Sequence, residues 1–135
     1  MSRIRYYSLY AKAIDSNGQK HIVTVVGKLE TEKFNVSVAE NMSLLRENGK
    51  VDKGAFVFDK NVKKKKLTLG LAICHPDDDF DQEVGEAIAK HRINNGEDIG
   101  SIESYSPSML TKDAIMAEIV VKLTWITENI DKYIS

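Results

Sequence analysis

Residues Leu67 to Arg92 hold most of the side chains in this chain whose types and spacing invite chemistry. An apolar run, Leu67-Thr68-Leu69-Gly70-Leu71-Ala72-Ile73-Cys74, leads into His75-Pro76-Asp77-Asp78-Asp79 and then into a helical pattern carrying Gly85, Ile88, Ala89 and Arg92. A strand that ends in a polar knot, with a helix opening directly after it, is one way to build a site. It is equally the way to cap a helix on a small sheet, because carboxylates are favoured at helix N-termini. Arg92 would pair with an acid or hold a phosphate. With His75 and Asp78 it forms the candidate ligand-binding set. Cys74 reads as a small core residue rather than a nucleophile, since the adjacent His75 tends to the opposite strand face.

A second constellation is basic and aromatic. Arg3, Arg5, Tyr6, Tyr7 and Tyr10 near the N-terminus, with the run Lys63-Lys64-Lys65-Lys66, contain the ingredients of a single-stranded nucleic-acid platform: rings to stack on and cations for phosphates. The competing reading places the lysines at a hairpin tip, where they protect a strand edge from mispairing. No Gly-rich phosphate loop, nucleophile elbow, dinucleotide fingerprint or paired Cys-x-x-Cys occurs.

Two resemblances attach to the central stretch. His75-Pro76-Asp77-Asp78 after a strand resembles the His-Pro-Asp-Asp signature of zinc-dependent de-N-acetylases. That resemblance implies zinc held by His75 and Asp78, with Asp77 as the general base on a metal-bound water. The third ligand would have to come from His21 or His91, and neither sits in a family-like motif. The acidic-cap reading is preferred, so neither metal nor cofactor is expected. The longer pattern Ala72-x-Cys74-x-Pro76-x-Asp78-x-Phe80, followed by Gly85, Ile88-Ala89 and Arg92, resembles a strand-to-helix module of small uncharacterised phage proteins. This likeness implies a phage or prophage origin and brings no reaction with it.

The elements that must position these residues are legible in part. Arg3 to Ile14 reads as a strand, Asp15-Ser16-Asn17-Gly18 as a tight turn and His21 to Leu29 as the partner strand. Val38, Met42 and Leu45 at helical spacing predict a short helix over Val36 to Glu47, ended by Asn48-Gly49. Gly54 to Phe58 and Lys64 to Cys74, flanking Asp59 to Val62, predict a second hairpin. A helix is expected from Phe80 to Ile93, with Asp77, Asp78 and Asp79 at its start and Phe80, Val84 and Ile88 on the sheet-facing side. Ile99 to Ser106 reads as loop or short strand. A long amphipathic helix follows over Leu110 to Ile134, with Ser108 or Thr111 as cap. Within it Met116, Ile119, Leu123, Ile126, Ile130 and Tyr133 form an a/d seam that predicts contact with a second copy.

Together these give one α+β domain over residues 1–135: an antiparallel, hairpin-based sheet of about four or five strands packed by two main helices. The chain has 42% apolar and 29% charged residues, ordinary for a globular domain, and lacks an apolar run long enough for a membrane span. One cysteine and no signal-like N-terminus point to a reducing cytoplasm, the host's if the chain is phage-encoded, or to a virion. The net charge of −1 conceals an asymmetry, with 14 Lys/Arg against 7 Asp/Glu in residues 1–71 and 9 acids against Lys90 and Arg92 in residues 72–103. Attraction between the two regions is preferred over polyanion binding. The expected function is that of a non-enzymatic phage accessory protein. It would self-assemble and bind a protein partner or a small nucleotide-like ligand, sequester a host nucleotide signal, or serve in the virion. A single-stranded nucleic-acid binder using Arg3, Arg5 and Lys63 to Lys66, and a zinc hydrolase, are the alternatives.

Overall fold

The computed structural model describes the backbone of residues 3–45, 51–104 and 110–134, and the side chains of 3–33, 63–104 and 110–134. Strands β1 (Arg3–Ile14), β2 (Lys20–Leu45) and β3 (Val51–Cys74) precede helix α1 (Gln82–Asn94), strand β4 (Gly100–Ser104), helix α2 (Lys112–Glu128) and a single turn, α3 (Asp131–Ile134). The sheet is an antiparallel meander in the order β1-β2-β3-β4. The class is α+β, as the pattern of hairpin signals and helical periods implies.

The first hairpin forms where the Asn-Gly signal lies. Gly18 adopts φ 79, the left-handed conformation that an L side chain resists. The Asp15 carboxylate accepts the Asn17 and Gln19 backbone N–H groups, both at 2.9 Å, and so closes the loop between Ile14 and Lys20.

Two expectations are corrected in the next stretch. Val36 to Leu45 is not a helix but the continuation of β2, and the second hairpin at Asp59 to Val62 does not exist, because β3 runs unbroken from Val51 to Cys74. Glu47 and the Gly49 cap lie outside the described residues. Alternating β-formers (Phe34, Val36, Val38) meet a partner strand rich in Phe and Val, and pairing along the whole ladder outweighs three apolar residues at helical spacing. The pair β2–β3 continues for fourteen rows beyond Thr31↔Lys65, from Glu32↔Lys64 to Leu45↔Val51, past the last rows of β1 and β4.

The two helices cover opposite faces of the sheet. Val23, Val25 and Leu29 of β2 and Leu67, Leu69 and Leu71 of β3 bury against Ile115, Ile119, Leu123 and Ile126 of α2. The intervening positions Val26 and Ala72 bury against Ala89 and Ile93 of α1. This is the period of two that strands impose. The α1 contact uses small residues: a Cβ at Gly70 would stand 2.5 Å from the Ala89 carbonyl oxygen and 2.6 Å from Ile93 Cγ1, and Gly85 lies against Thr24. Val84 and Ile88, expected to face the sheet, are 54% and 42% exposed instead. Close backbone approach through Gly70, Gly85 and Ala89 decides the rotation of the helix.

The helix ends also shift. Asp81, not Asp77 to Asp79, caps α1, accepting the Glu83 and Val84 N–H groups at 2.9 and 3.3 Å. Phe80 precedes the helix and packs on Tyr10, ring centroids 5.1 Å apart. Thr111 caps α2 as expected. The long terminal helix is interrupted, however: the Asn129 side chain donates to the Trp125 carbonyl at 2.9 Å, α2 stops at Glu128, and α3 is tied to the first hairpin by the Ser16 N–H on Asp131 at 3.0 Å.

Candidate functional site

The segment His75 to Asp78 folds as an exposed turn. The Asp78 N–H donates to the His75 carbonyl at 3.0 Å and the Asp77 N–H to His75 Nδ1 at 3.3 Å. The Cys74 thiol donates to the His75 and Asp78 carbonyls. The other histidines are engaged elsewhere: His21 Nε2 lies 2.8 Å from Asp15, and His91 Nε2 lies 2.8 Å from Asn95 Nδ2. Among the described residues no group of three or more His, Cys, Asp or Glu side chains is placed to hold a metal ion. The zinc-ligand set that the de-N-acetylase likeness implies is therefore incomplete here.

His75 and Asp78 do line a cleft of about 450 Å³ between α1 and β3, with Thr24, Ala72, Val84, Gly85 and Ile88. Arg92 does not join them. Its guanidinium donates to the Leu71 carbonyl at 2.8 Å. Leu71 lies just past Leu69, the last β3 residue paired with β4, so Arg92 covers a stretch of sheet edge that β4 leaves open. The three proposed ligand residues thus divide into two at the cleft and one bound to backbone.

The basic residues tell a different story. Strand alternation splits the lysine run: Lys63 and Lys65 point to the α2 face, whereas Lys64 and Lys66 share the opposite face with Glu30 and Glu32. Lys64 also lies 3.5 Å from Glu103. Of the expected platform, Arg3, Arg5, Lys63, Lys65 and Tyr7 converge at a cleft of about 530 Å³ at the start of α2. Tyr6 and Tyr10 are on the other face, where Lys90 covers the Tyr6 ring at 4.5 Å and Phe80 packs on Tyr10.

Two cations missed in the sequence complete the cleft. Lys33 comes in through the β2 register, directly opposite Lys63, and Lys112 is the first residue of α2. Lys65 Nζ donates to the Leu110 carbonyl at 3.4 Å, tying the helix entry to the sheet. Among the described residues six basic side chains therefore line the cleft and no acidic one does. Among the described residues none of the six is in an ion pair. The first backbone N–H groups of α2 add positive potential beside them. Among the described residues the expected attraction between the basic half and the acidic segment is made by Lys64 with Glu103 on the opposite face, and not at the cleft: Asp77 to Asp81 follow the Cys74 end of β3, while the cleft lies at its Lys63 to Lys65 stretch.

The terminal seam is placed differently from the expectation. Ile119, Leu123, Ile126 and Ile130 are buried in the chain's own core, with Met116 and Tyr133 packed against it. The sheet, rather than a second copy, fills that side of α2. The outward apolar residues are Val120, Val121 and Trp125.

A buried pair also escaped sequence reading. Asp15 and His21, both almost wholly buried, join at 2.8 Å. The hydrogen bond from His21, reinforced by the Gln19 and Asn17 N–H groups, holds the Asp15 carboxyl below its ordinary range.

No known protein family, no curated protein and no solved structure matches this chain. No described helix is long and apolar enough to cross a membrane.

Proposed function

We propose that this chain is a non-enzymatic binding protein that seats a phosphate-bearing anion in the cleft at the head of α2. The observation behind the reading is the convergence of Arg3, Arg5, Lys33, Lys63, Lys65 and Lys112 on one concave surface without a carboxylate among its described lining residues. Like charges at close range repel, and a multivalent anion is what relieves that repulsion. The volume, about 530 Å³, suits a nucleotide-sized group. A host nucleotide signal and a nucleic acid share this chemistry. The strand-to-helix module keeps phage accessory protein as the setting, with the host cytoplasm or the virion as its place of action.

The α1 cleft is the weaker candidate. Its floor is apolar, and the carboxylates at its rim are either engaged in capping or solvent-exposed. The Arg92-centred ligand reading is replaced by the basic cleft, because the Arg92 guanidinium is held on the Leu71 carbonyl.

Isothermal calorimetry with inorganic phosphate, mononucleotides and short oligonucleotides tests the proposal. Binding of at least one phosphate compound that Lys63→Glu weakens tenfold or more is the expected result. Silence across the panel, or binding that Lys63→Glu leaves untouched, removes the reading.

A further inference from the structure

The cations of the cleft are arranged in ranks along the strands rather than in a ring. Arg5 occupies the row of Leu29. One same-face step further, Arg3 and Lys65 flank Thr31 from its two sides. Another step on, Lys33 and Lys63 stand opposite each other. Same-face positions on a strand are two residues apart, so successive ranks lie roughly 7 Å from one another. That interval is close to the separation of successive phosphates along an extended nucleic-acid strand. A mononucleotide concentrates its charge at one point and leaves the outer ranks unneutralised; a strand laid along β2 meets each rank in turn.

We infer that the cleft is a track for single-stranded nucleic acid, with the sugar-phosphate backbone running parallel to β2 from Arg5 towards the Lys33–Lys63 pair. The inference rests on the phosphate-site reading and narrows it to one ligand class. Lys112 and the opening turn of α2 wall the track on one side. A cleft of about 530 Å³ takes one or two nucleotides at a time and excludes a duplex. Tyr7 offers the single described ring within it. Contacts of this kind read backbone charge, so the track has little sequence preference.

Fluorescence anisotropy on the full chain with labelled oligothymidylates of increasing length, starting from the mononucleotide, tests this. Affinity is expected to rise steeply until all three ranks are engaged and then level off. The logarithmic salt slope should be about −2, from roughly −0.7 per phosphate on a single strand. Lys63→Glu and Lys33→Gln should each weaken the longer oligonucleotides at least tenfold, with folding checked by circular dichroism. Lys66→Gln, on the opposite face, should leave binding unchanged. A mononucleotide bound as tightly as the longest oligonucleotide overturns the track while sparing the phosphate site. Failure of both to bind removes both. Equal binding of polyglutamate overturns the nucleic-acid assignment, and equal weakening by Lys66→Gln overturns its location.

Discussion

Lys33 and Lys63 occupy directly opposed positions across the β2–β3 ladder, one same-face step from Thr31 and the two cations beside it. Opposed like charges in a ladder destabilise it, so this arrangement costs the free protein stability and gains in the presence of an anion. Lys63→Glu should therefore stabilise the ligand-free protein by about 0.5 kcal/mol, through a cross-strand pair with Lys33, while it weakens anion binding. Urea melts with and without oligonucleotide check both halves. A variant that loses stability and affinity together would show that Lys63 acts through packing instead.

Gly70 marks the closest approach of α1 to the sheet. Any Cβ there meets the Ala89 backbone carbonyl, which cannot rotate away. Gly70→Ala is expected to lose about 3 kcal/mol by overpacking, read as a lowered denaturant midpoint. A neutral result would mean that α1 rides further from β3.

Arg92 closes the open edge of β3 through the Leu71 carbonyl. Arg92→Met should cost about 1 kcal/mol of stability, the worth of one such hydrogen bond, and leave affinity for oligonucleotides and nucleotides unchanged. Lost affinity in a stably folded variant would restore Arg92 as a ligand residue.

Ile126 is fully buried under the sheet. Ile126→Ala should lose about 3 kcal/mol, as large-to-small core substitutions do. The melting temperature of the parent should not depend on protein concentration, since its seam is filled internally. A midpoint that climbs with concentration would bring back the second copy.

Asp15 links stability to pH. Its folded-state pKa lies below its ordinary value, chiefly through the hydrogen bond from His21, so its contribution is complete above the unfolded value. That contribution drains away as pH falls below about 4 and through the lower folded value. Asp15→Asn should thus be less stable than the parent at neutral pH, with the difference shrinking in acid. Urea midpoints taken from neutral pH downward measure it. A gap of constant size would locate the effect in turn geometry alone.

How far the chain could be read without its fold differs from element to element. The first hairpin was legible because its signals are local: Asn17-Gly18 supplies the turn and the β-branched run after His21 supplies the strand. Thr111 as the α2 cap was legible for the same reason. Val36 to Leu45 was not, because a short apolar run fits either period and only the facing strand decides between them. The Asn48-Gly49 pair, read as a helix cap, stands in sequence between the last paired row of β2 and β3.

By itself, the amino-acid order determined the α+β class, the first hairpin and the presence of a strongly basic first half. Tertiary structure alone decided which of those charges meet. Register sends Lys63 and Lys65 to one face and Lys64 and Lys66 to the other, and it sets Lys33 against Lys63. The chain's return beneath the sheet brings Lys112 to residues more than a hundred positions earlier, Arg3 and Arg5. Charge is a property of composition, whereas a field strong enough to hold an anion needs charges at short range on one concave surface, and only folding sets that distance.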